Sequence, residues 1–572
     1  MSVYPGSLLA CDVGYLPIIA AYVKRLGVVD QVNRLCLSNS DVGAGEMVLA
    51  LILDTLSGRR PLYRLEERFG ELDTQLLFGD RIDPSKLNDD AAGRTLDLLH
   101  EVGTSVVFSA VALRAVRQFD LDTRRVHHDT TSLTLYGDYR LYQNEHHGHP
   151  FVITNGHSKN HRPDLKQIVH SLVCVDRGIP VASRMFDGNE SDKTINHTVL
   201  TEVSETMRRL GRFDPIYTAD AAMVTEGNLE LLSDKDKGSR FVTRFPRSYT
   251  ECVKGIERAV EADTWDDLGI LSRQRPTPNR KAAHYRGFET QLTVYETPYR
   301  ALVIHSDAKD KRSLKKFERD LSRDAADMSK LKKEFEKIPY ACRPDAEAAI
   351  QRLPRGKFHR LSGEIQEIPR YARGRPRADG TRKVQRIDYT LSIRIDPDED
   401  VISRAQLQAG CFVLLSNIPY YEMGSYEMLD TYKAQDSVEK NFAFLKDDAI
   451  ANSLFLKSPA RLEALGLILV LSLMVWRLME RCMRNALNTS GSTIQGWDKK
   501  PTMRPTSFMM TTKFPSVLVV QTDQGRCLAK PLKPVQRDYL NILGLSHKVF
   551  LDPMAACAVL SERTLESWET TG

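Results

Sequence analysis

The pattern of apolar and polar positions changes character along the chain. Up to residue 118, apolar residues recur at helical spacing in segments such as "GAGEMVLALILDTLSG", and Gly and Pro separate these segments. The pattern predicts an all-helical N-terminal domain over residues 1–118. Its last and longest helix starts at "DDAAGRTLDLLHEV", where Asp89 or Asp90 is placed to cap it.

From residue 121 the pattern favours strands. "RRVHHDTTSLTLYG" is rich in Thr and Val and alternates in places, and "QIVHSLVCVDRGIPVASRMF" indicates two strands around an Asp-Arg-Gly turn. Helix, strand and helix patterns follow in "DKTINHTVLTEVSETMRRLG", "PIYTADAAM" and "VTEGNLELLSD". Hairpin strands joined to alternating helices and strands predict a mixed α/β sheet.

Residues 250–410 interrupt this plan with charged segments. "KRSLKKFERDLSRDAADMSKLKKEFEK" predicts a long charged helix without a broad apolar face. Residues 352–386 hold eleven Lys and Arg against three acidic residues, a net charge of +8 that exceeds the +5 of the whole chain. A segment of this kind is typical of phosphate binding, which is independent of sequence and sensitive to salt.

Residues 431–448, "TYKAQDSVEKNFAFLKDD", predict a helix with two distinct edges. Val438, Phe442 and Leu445 form an apolar edge. A second edge carries Tyr432, Gln435, Glu439 and Lys446, which fall within about 60° of one another at about 100° per residue. Such a polar stripe is either a solvated face or one side of a binding site.

Composition is that of a globular protein in a reducing compartment. Apolar residues make up 42% of the chain and charged residues 27%. The nine cysteines are scattered without a C-x-x-C pair, and the N-terminus lacks the pattern of a signal peptide. The longest apolar run, "ALGLILVLSLMVW", is too short to cross a bilayer and predicts a core helix. We therefore expect a cytoplasmic protein that does not use a membrane.

Three carboxylates are candidates for metal binding. Asp129 lies within a Thr-rich strand, and Asp220 ends the strand "PIYTAD" at the edge of the predicted sheet, where ligands commonly bind. Glu439 lies on the polar edge of the helix described above. Hard oxygen ligands without Cys or His suit Mg²⁺. Taken singly, each acid is also explained as a capping or strand-edge residue.

In combination, these segments resemble the DDE transposases of bacterial insertion sequences. The resemblance is to the group whose third acid lies in a Tyr-x2-Arg-x3-Glu-x6-Lys signature, here Tyr432, Gln435, Glu439 and Lys446. "HHDTTSL" and "YTADAAM" resemble the strands that carry the first and second Asp, "GHSKNHRPDLKQI" resembles the stretch after the first, and "LNDDAAGRTLDLL" resembles a helical N-terminal region. The departure is Gln435, since an amide carries no charge and lacks the guanidinium fork.

The resemblance implies a ribonuclease-H-like catalytic core with a strand-rich insertion. It implies that Asp129, Asp220 and Glu439 bind two Mg²⁺ ions, for which Mn²⁺ substitutes, and that Tyr432, Gln435 and Lys446 contact the DNA. The implied organisation is a helical domain for DNA-end binding or dimerisation (1–118), the first part of the core (119–249), the insertion (250–408), the second part of the core with the Glu helix (409–489) and a C-terminal region (490–572). The implied partners are double-stranded DNA, as terminal inverted repeats and target, and a second copy of the chain in a synaptic complex on the nucleoid.

Two basic clusters add candidate DNA contacts. "RGRP" at 373–376 resembles the core of an AT-hook, so Arg373, Arg375 and Arg377 either enter a minor groove or belong to a solvated loop. Lys159 and Arg162 follow the first-Asp hairpin and either contact DNA or solvate their loop. Two other functions are compatible with the sequence: a DNA-binding protein of this fold that no longer cuts, and a nuclease without strand transfer.

Overall fold

The chain folds into two compact units. The computed structural model describes residues 9–135, 139, 150–158, 162–209, 214–233, 239–271, 282–307, 311–373, 380, 382–447, 456, 458–522 and 524–555. Unit 1 comprises Met1–Thr243 and Thr431–Gly572, and unit 2 comprises Arg244–Asp430. Unit 2 is therefore an insertion in the sequence of unit 1, between the positions of Asp220 and Glu439.

Unit 1 begins with a helical region. Its described helices there are α1 (Leu16–Leu26), α2 (Val28–Leu35), α3 (Ala44–Thr55), α4 (Leu65–Gly70), α5 (Thr74–Phe78), α6 (Asp89–Val102) and α7 (Thr104–Gln118). The region is not all helical, because strand β1 (Leu9–Asp12) pairs with a strand from the other end of the chain. A β-strand can find its partner at any sequence distance, so the local pattern did not predict this pairing.

The predicted long helix after residue 88 is two helices, and its cap is Asn88. The Asn88 Oδ1 accepts the N–H of Ala91 at 2.9 Å, so the capping residue precedes the predicted Asp89 or Asp90 by one or two positions. Gly103 has φ +95, a conformation that favours glycine, and there the chain bends by 85° between α6 and α7.

Five neighbouring strands of a nine-stranded mixed sheet begin in unit 1. They are β2 (Arg125–Leu135), β3 (Lys166–Val175), β4 (Ile179–Phe186), β5 (Ile216–Ala219) and β6 (Arg240–Phe245). The order is β4-β3-β2-β5-β6; β2, β3 and β4 are antiparallel neighbours, whereas β5 runs parallel to both β2 and β6. Helices α8 (Asp192–Arg209) and α9 (Glu226–Ser233) connect the strands. The prediction of a mixed α/β fold is confirmed.

The C-terminal part of unit 1 closes onto the N-terminal helices. Its elements are α14 (Ser425–Lys433, which begins in unit 2), α15 (Asp436–Leu445), α16 (Pro459–Ser490), β13 (Ile494–Gln495), β14 (Pro501–Thr502), α17 (Ser507–Thr511), β15 (Leu518–Thr522), β16 (Gly525–Leu528) and α18 (Pro534–Ile542). β15 pairs with both β1 and β16. The Tyr22 hydroxyl donates to the Leu543 carbonyl at 2.8 Å, which ties α1 to the end of the chain.

Helix α16 is the buried axis of this arrangement. It contains the apolar run predicted to be a core helix, and it is apolar on all sides over most of its length. By length and composition it would suffice to cross a membrane, yet 89% of its most apolar window is buried by the rest of the protein. Two ion pairs hold this helix, from Arg461 in its first turn to Asp97 of α6 at 2.7 Å and from Arg481 to Asp176 at 2.7 Å.

Unit 2 contains strands that belong to two sheets, together with helices. Its helices are α10 (Thr250–Ala262), α11 (Lys311–Phe335), α12 (Arg343–Gln351) and α13 (Glu399–Ala409), and its strands are β7 (Asp266–Ile270), β8 (His284–Val294), β9 (Thr297–Ser306), β10 (His359–Tyr371), β11 (Val384–Pro397) and β12 (Cys411–Ser416). β12 pairs with β9, so this strand, which the sequence assigned to the second part of the core, groups with unit 2. β10 and β11 form a separate two-stranded ribbon.

One core imidazole makes the stability of unit 1 depend on pH. The His170 ring is 1% exposed, and its Nε2 lies 2.7 Å from the Ser183 Oγ. Burial lowers the pKa of His170 to about 4. In the unfolded chain His170 binds a proton near pH 6.5, whereas in the folded chain it binds one only near pH 4. The free energy of unfolding therefore falls as the pH drops through this window, by about 3 kcal/mol in total.

We expect His170→Gln to flatten this dependence. Chemical unfolding of the wild type and the variant at several pH values between 4 and 7 measures the effect. His284→Gln, which changes a more exposed imidazole, is the control and should preserve the wild-type slope. Equal slopes in the wild type and His170→Gln would contradict the assignment.

Candidate active site

Asp129 lies in the middle of β2 and on one particular face of the sheet. The neighbouring side chains point to α8, since His128 Nδ1 lies 3.0 Å from the Asn196 Oδ1 and Thr130 Oγ1 donates to the Asp192 Oδ1 at 2.5 Å. Successive strand residues alternate between faces, so Asp129 points to the opposite face. Its side chain is half-buried, and its Oδ1 accepts the N–H of Thr130 at 2.8 Å.

Asp220 lies beside Asp129 on the neighbouring parallel strand. β2 and β5 pair in the register Arg125 with Ile216 and His127 with Thr218. The same register places Asp220 opposite Asp129, one residue after β5 ends, and the backbone there is still extended. Neighbouring strands are about 4.8 Å apart. The Asp220 Oδ1 accepts the N–H of Ala222 at 3.0 Å, which starts a short 3-10 turn.

The charges of both aspartates reach the same buried ring. Burial raises the pKa of Tyr217 well above its ordinary value, and the Asp220 and Asp129 carboxylates add to the rise. Two carboxylates at neighbouring positions repel each other unless a cation or a proton lies between them. The pair therefore forms a site that favours a cation, at the edge of the sheet where β5 ends.

The Glu439 region differs from the single helix that the sequence predicted. α14 ends at Lys433 and α15 begins at Asp436, and the bonds from Gln435 N to the Tyr432 carbonyl and from Val438 N to the Gln435 carbonyl span three residues. A 3-10 turn thus separates Tyr432 from Glu439, and the predicted stripe is not one face of one helix. Ser437 contributes to the break by donating its hydroxyl to the Ala434 carbonyl at 2.8 Å.

Buried polar contacts hold α15 against the face of the sheet that carries Asp129. The Asn441 amide donates to the Cys174 Sγ at 3.3 Å and to the Gly178 carbonyl at 2.8 Å. Cys174 of β3 is opposite His127 of β2. His127 is two residues before Asp129, so the three residues share one face of the sheet. Burial raises the pKa of Cys174 to about 12, and the charge of Asp129 acts in the same direction. Arg477 of α16 completes the attachment by donating to the Asn441 Oδ1 at 2.7 Å.

Glu439 itself is exposed. Val438, Asn441 and Phe442 of its helix are buried, whereas the side chains of Glu439 and Lys440 are exposed to solvent. Within the part of the chain that the structure describes, no group of three or more His, Cys, Asp or Glu is arranged to hold a metal ion. The structure therefore brings Asp129 and Asp220 together and places Glu439 on the adjoining helix without adding it to their group.

The donor chemistry of the aspartate pair fits a hard divalent cation. Each carboxylate is anchored by a backbone N–H through its Oδ1, and carboxylate oxygens are the ligands that Mg²⁺ prefers. Two protein carboxylates with substrate phosphate completing the shell is a usual arrangement for this ion. The pair is therefore suited to hold Mg²⁺.

The other predicted contact residues have different surroundings. Tyr432 and Gln435 are half-buried, and Lys446 follows directly after α15. Arg162 is exposed and forms an ion pair with Asp164 at 2.6 Å. Arg373 is exposed at the end of the β10–β11 ribbon. The remaining predicted residues, Lys159, Arg375 and Arg377, lie outside the described residues.

The N-terminal region of the chain matches a known domain model. The model of a domain of unknown function, DUF4277, matches residues 10–113, the region of α1 to α7. No curated protein matches the chain. A cryo-EM structure of a piggyBac transposase synaptic complex with hairpin DNA is similar at a TM-score of 0.35 and 8% identity, over 96% of this chain and 81% of that one. Similarity at this level carries no inference about function.

Two residues that support the site were missed by sequence reasoning. Asn441 and Arg477 connect α15 to the sheet and to α16, and neither was singled out. A signal was present for Asn441, which lies beside Val438 and Phe442 on the apolar edge of its helix. A polar residue on such an edge needs a buried partner, and this requirement predicts a structural contact without revealing what it is.

Proposed function

We propose that this protein is a DNA transposase with a ribonuclease-H-like catalytic core. The observation that carries the proposal is the register of β2 and β5, which aligns Asp129 with Asp220 although 91 residues separate them. The strand order β4-β3-β2-β5-β6, with three antiparallel strands followed by two parallel ones, supports a core of this kind. Unit 2 supports the accompanying insertion, since it lies between the second Asp and Glu439 in the sequence.

In this proposal Asp129, Asp220 and Glu439 hold two Mg²⁺ ions, and Mn²⁺ substitutes for them. Bound there, such ions supply activation of the attacking oxygen and stabilisation of the leaving oxygen. Because Glu439 is exposed in the free chain, we propose that binding of the DNA end and the ions favours a conformation in which α15 brings this carboxylate to the aspartate pair. Lys446 neutralises phosphate charge, Tyr432 contacts the DNA end, and Gln435 donates hydrogen bonds without charge.

The reaction consists of two displacements at phosphorus. Water attacks at the end of the element, the bond from phosphorus to the 3′ oxygen breaks, and a 3′-hydroxyl and a 5′-phosphate result. The freed 3′-hydroxyl then attacks a target phosphodiester, forms the new bond from phosphorus to oxygen and displaces the target 3′ oxygen. No protein side chain becomes bonded to DNA. If the 3′-hydroxyl attacks the opposite strand instead, a DNA hairpin results. Gln435 in place of Arg weakens binding of the DNA end during that step.

The partners and location follow from this reaction. Two ends must be held together for joining, so we propose a homodimer on double-stranded DNA, acting in the cytoplasm on the nucleoid. Salt-sensitive contacts to phosphates supply much of the affinity of such proteins. The basic segment 352–386 is the proposed source of these contacts in this chain.

A second candidate is a DNA-binding protein of the same fold that no longer cuts. It is favoured by the exposed position of Glu439 and by the lack of a three-ligand group within the described residues. A nuclease without strand transfer is a third. These candidates differ in their products, so one assay separates them.

The test uses the full chain and a supercoiled plasmid that carries the two DNA ends flanking its gene. With Mg²⁺ we expect nicked ends and joined products, and with EDTA neither. Nicking without joining would replace the transposase by a nuclease. Binding of the ends without Mg²⁺-dependent nicking would establish the silent DNA-binding protein instead.

A further inference from the structure

The β10–β11 ribbon of unit 2 extends beyond the helices that cover its base. At the base, Leu361, Leu391 and Ile393 form a core with Met328 of α11 and Ala346 of α12. From about Gln366 outward most residues of β10 are exposed, and the two strands remain paired up to Tyr371 and Val384. We call residues 366–373 together with 382–390 the ribbon tip.

One face of the ribbon tip presents two arginines that are held side by side. Arg370 and Arg386 are directly opposite in the strand register. Asp388 lies between them, with its Oδ2 2.8 Å from the Arg370 Nε and its Oδ1 3.0 Å from the Arg386 Nε. The Asp388 side chain is 11% exposed, whereas those of Arg370 and Arg386 are 60% and 73% exposed. Hydrogen bonding from Arg370 holds the pKa of Asp388 below its ordinary value.

This geometry leaves the outer edges of both guanidiniums available to a ligand. Each contact to Asp388 uses the Nε, so the terminal nitrogens of Arg370 and Arg386 are not used by it. A fixed Nε contact also restricts the rotation of a guanidinium plane, which reduces the entropy lost on binding. A surface ion pair alone would contribute little to stability, so the arrangement is better explained by what the outer edges bind.

The opposite face of the ribbon tip is mostly apolar and carries one charged residue, Glu367, opposite Tyr389. Pro369 is opposite Ile387 and Tyr371 is opposite Val384. Their face continues the one that packs on α11 and α12 at the base, but here Tyr371, Val384 and Ile387 are 49%, 45% and 37% exposed. The ribbon tip is thus a projecting element with a basic face and a mostly apolar face.

The charge of the ribbon tip indicates an anionic partner. Its described residues include five basic side chains, Arg370, Arg373, Arg382, Lys383 and Arg386, and two acidic ones, Glu367 and Asp388. Arg343 of α12 lies 3.7 Å from Glu367, and Asp388 is bound by the two arginines. The acidic charge is therefore balanced by its neighbours, and the outward field of the tip is positive.

We propose that the ribbon tip enters the major groove of duplex DNA, with Arg370 and Arg386 directed at base edges. The proposal rests on the proposed function and names the element that reads the duplex. The major groove is about 12 Å wide and admits a two-stranded ribbon, whereas the minor groove is about 6 Å wide. Arginine with its terminal nitrogens outward matches the O6 and N7 acceptors of guanine.

In this arrangement Asp388 is a positioning residue. It touches no DNA and acts by fixing the two guanidiniums. Replacing Asp388 by Asn raises the positive charge of the tip and removes the charged partner of both arginines. A merely electrostatic patch would bind DNA more tightly after this change, but a base-reading pair would lose discrimination.

The experiment measures binding of the full chain, in EDTA, to the labelled duplex from one end of the plasmid insert. In a second duplex every guanine is replaced by 7-deazaguanine, which lacks the N7 acceptor. We expect this replacement to weaken wild-type binding roughly 5- to 150-fold, the value of one good base contact. Two variants, the single substitution Asp388→Asn and the double substitution Arg370→Ala/Arg386→Ala, should each bind the two duplexes with equal affinity. Arg394→Ala, on the same ribbon and paired with Glu364, is the matched control and should keep the wild-type ratio.

Two outcomes would overturn the proposal. One is a wild-type affinity that is unchanged by deazaguanine. The other is displacement by netropsin, which occupies the minor groove. Melting curves that coincide with the wild type show that each variant is folded. Cleavage needs Mg²⁺, and this binding assay contains none. A negative binding result therefore does not contradict the proposed cleavage reaction, and a protein that does not cleave can still be tested for base-specific binding.

Discussion

Asp129→Asn and Asp220→Asn are each expected to abolish strand cleavage while the protein still binds the DNA ends. The two carboxylates are aligned on β2 and β5, so an amide at either position removes a negative charge from the same site. Loss of several kcal/mol of metal-dependent transition-state stabilisation corresponds to at least about a 10³-fold slower reaction. Single-turnover nicking of labelled ends with Mg²⁺ measures the effect.

The control is Asp214→Asn, which changes an aspartate that is 60% exposed near the start of β5 and paired with Arg240. It should cut at the wild-type rate. If either Asp129→Asn or Asp220→Asn also cuts at that rate, that residue does not belong to the site. Glu439→Gln tests whether Glu439 is a third metal ligand. Full activity in this variant would mean that Asp129 and Asp220 are the complete set of protein ligands.

Asp73→Ala is expected to lower the free energy of unfolding by about 3–5 kcal/mol, the cost of leaving one charge of a buried pair without its partner. The Asp73 and Arg526 side chains are 5% and 9% exposed and are joined by bonds of 2.6 and 3.0 Å. Asp73 also caps α5 by accepting the N–H of Leu76 at 3.0 Å. The pair connects the N-terminal helices to β16, so its loss weakens the closure of unit 1.

Denaturant unfolding of the full chain measures this effect. Asp83→Ala is the matched control, because Asp83 also accepts a backbone N–H at a helical turn but lies in an exposed segment. A change below about 1 kcal/mol for Asp73→Ala, the range of surface ion pairs, would refute the buried character of the pair. Asp73→Leu combined with Arg526→Met should recover most of the loss.

The sequence predicted the strands and helices whose patterns are local. The Asp-Arg-Gly hairpin, the strand before Asp220 and the apolar core helix all occur where the pattern placed them. The alignment of Asp129 with Asp220 was not predictable, because periodicity gives the faces of a strand and not its register with another strand. For the same reason the pairing of β1 with β15, about 500 residues apart, left no local trace.

Other misses had signals that were passed over. The ribbon was predicted only as a basic segment, although Tyr389, Leu391, Ile393 and Ile395 alternate with polar residues in the manner of a half-buried strand. Pro369 and the many charged residues hid the strand pattern of β10. A proline is tolerated there because β10 is an edge strand. The break before α15 was missed because apolar spacing continues across it, while the turn depends on the local bonds of Gln435 and Ser437.

The interleaving of the two chain ends in unit 1 has a consequence for synthesis on the ribosome. Helices α1 to α7 emerge first, yet their partners α16 and β15 emerge about 400 residues later. At about 5–20 residues per second, the nascent N-terminal segment waits roughly 20–80 s with uncovered apolar surface. Such a segment is prone to aggregate during that interval, so production of this protein should depend on chaperones far more than its final compactness suggests.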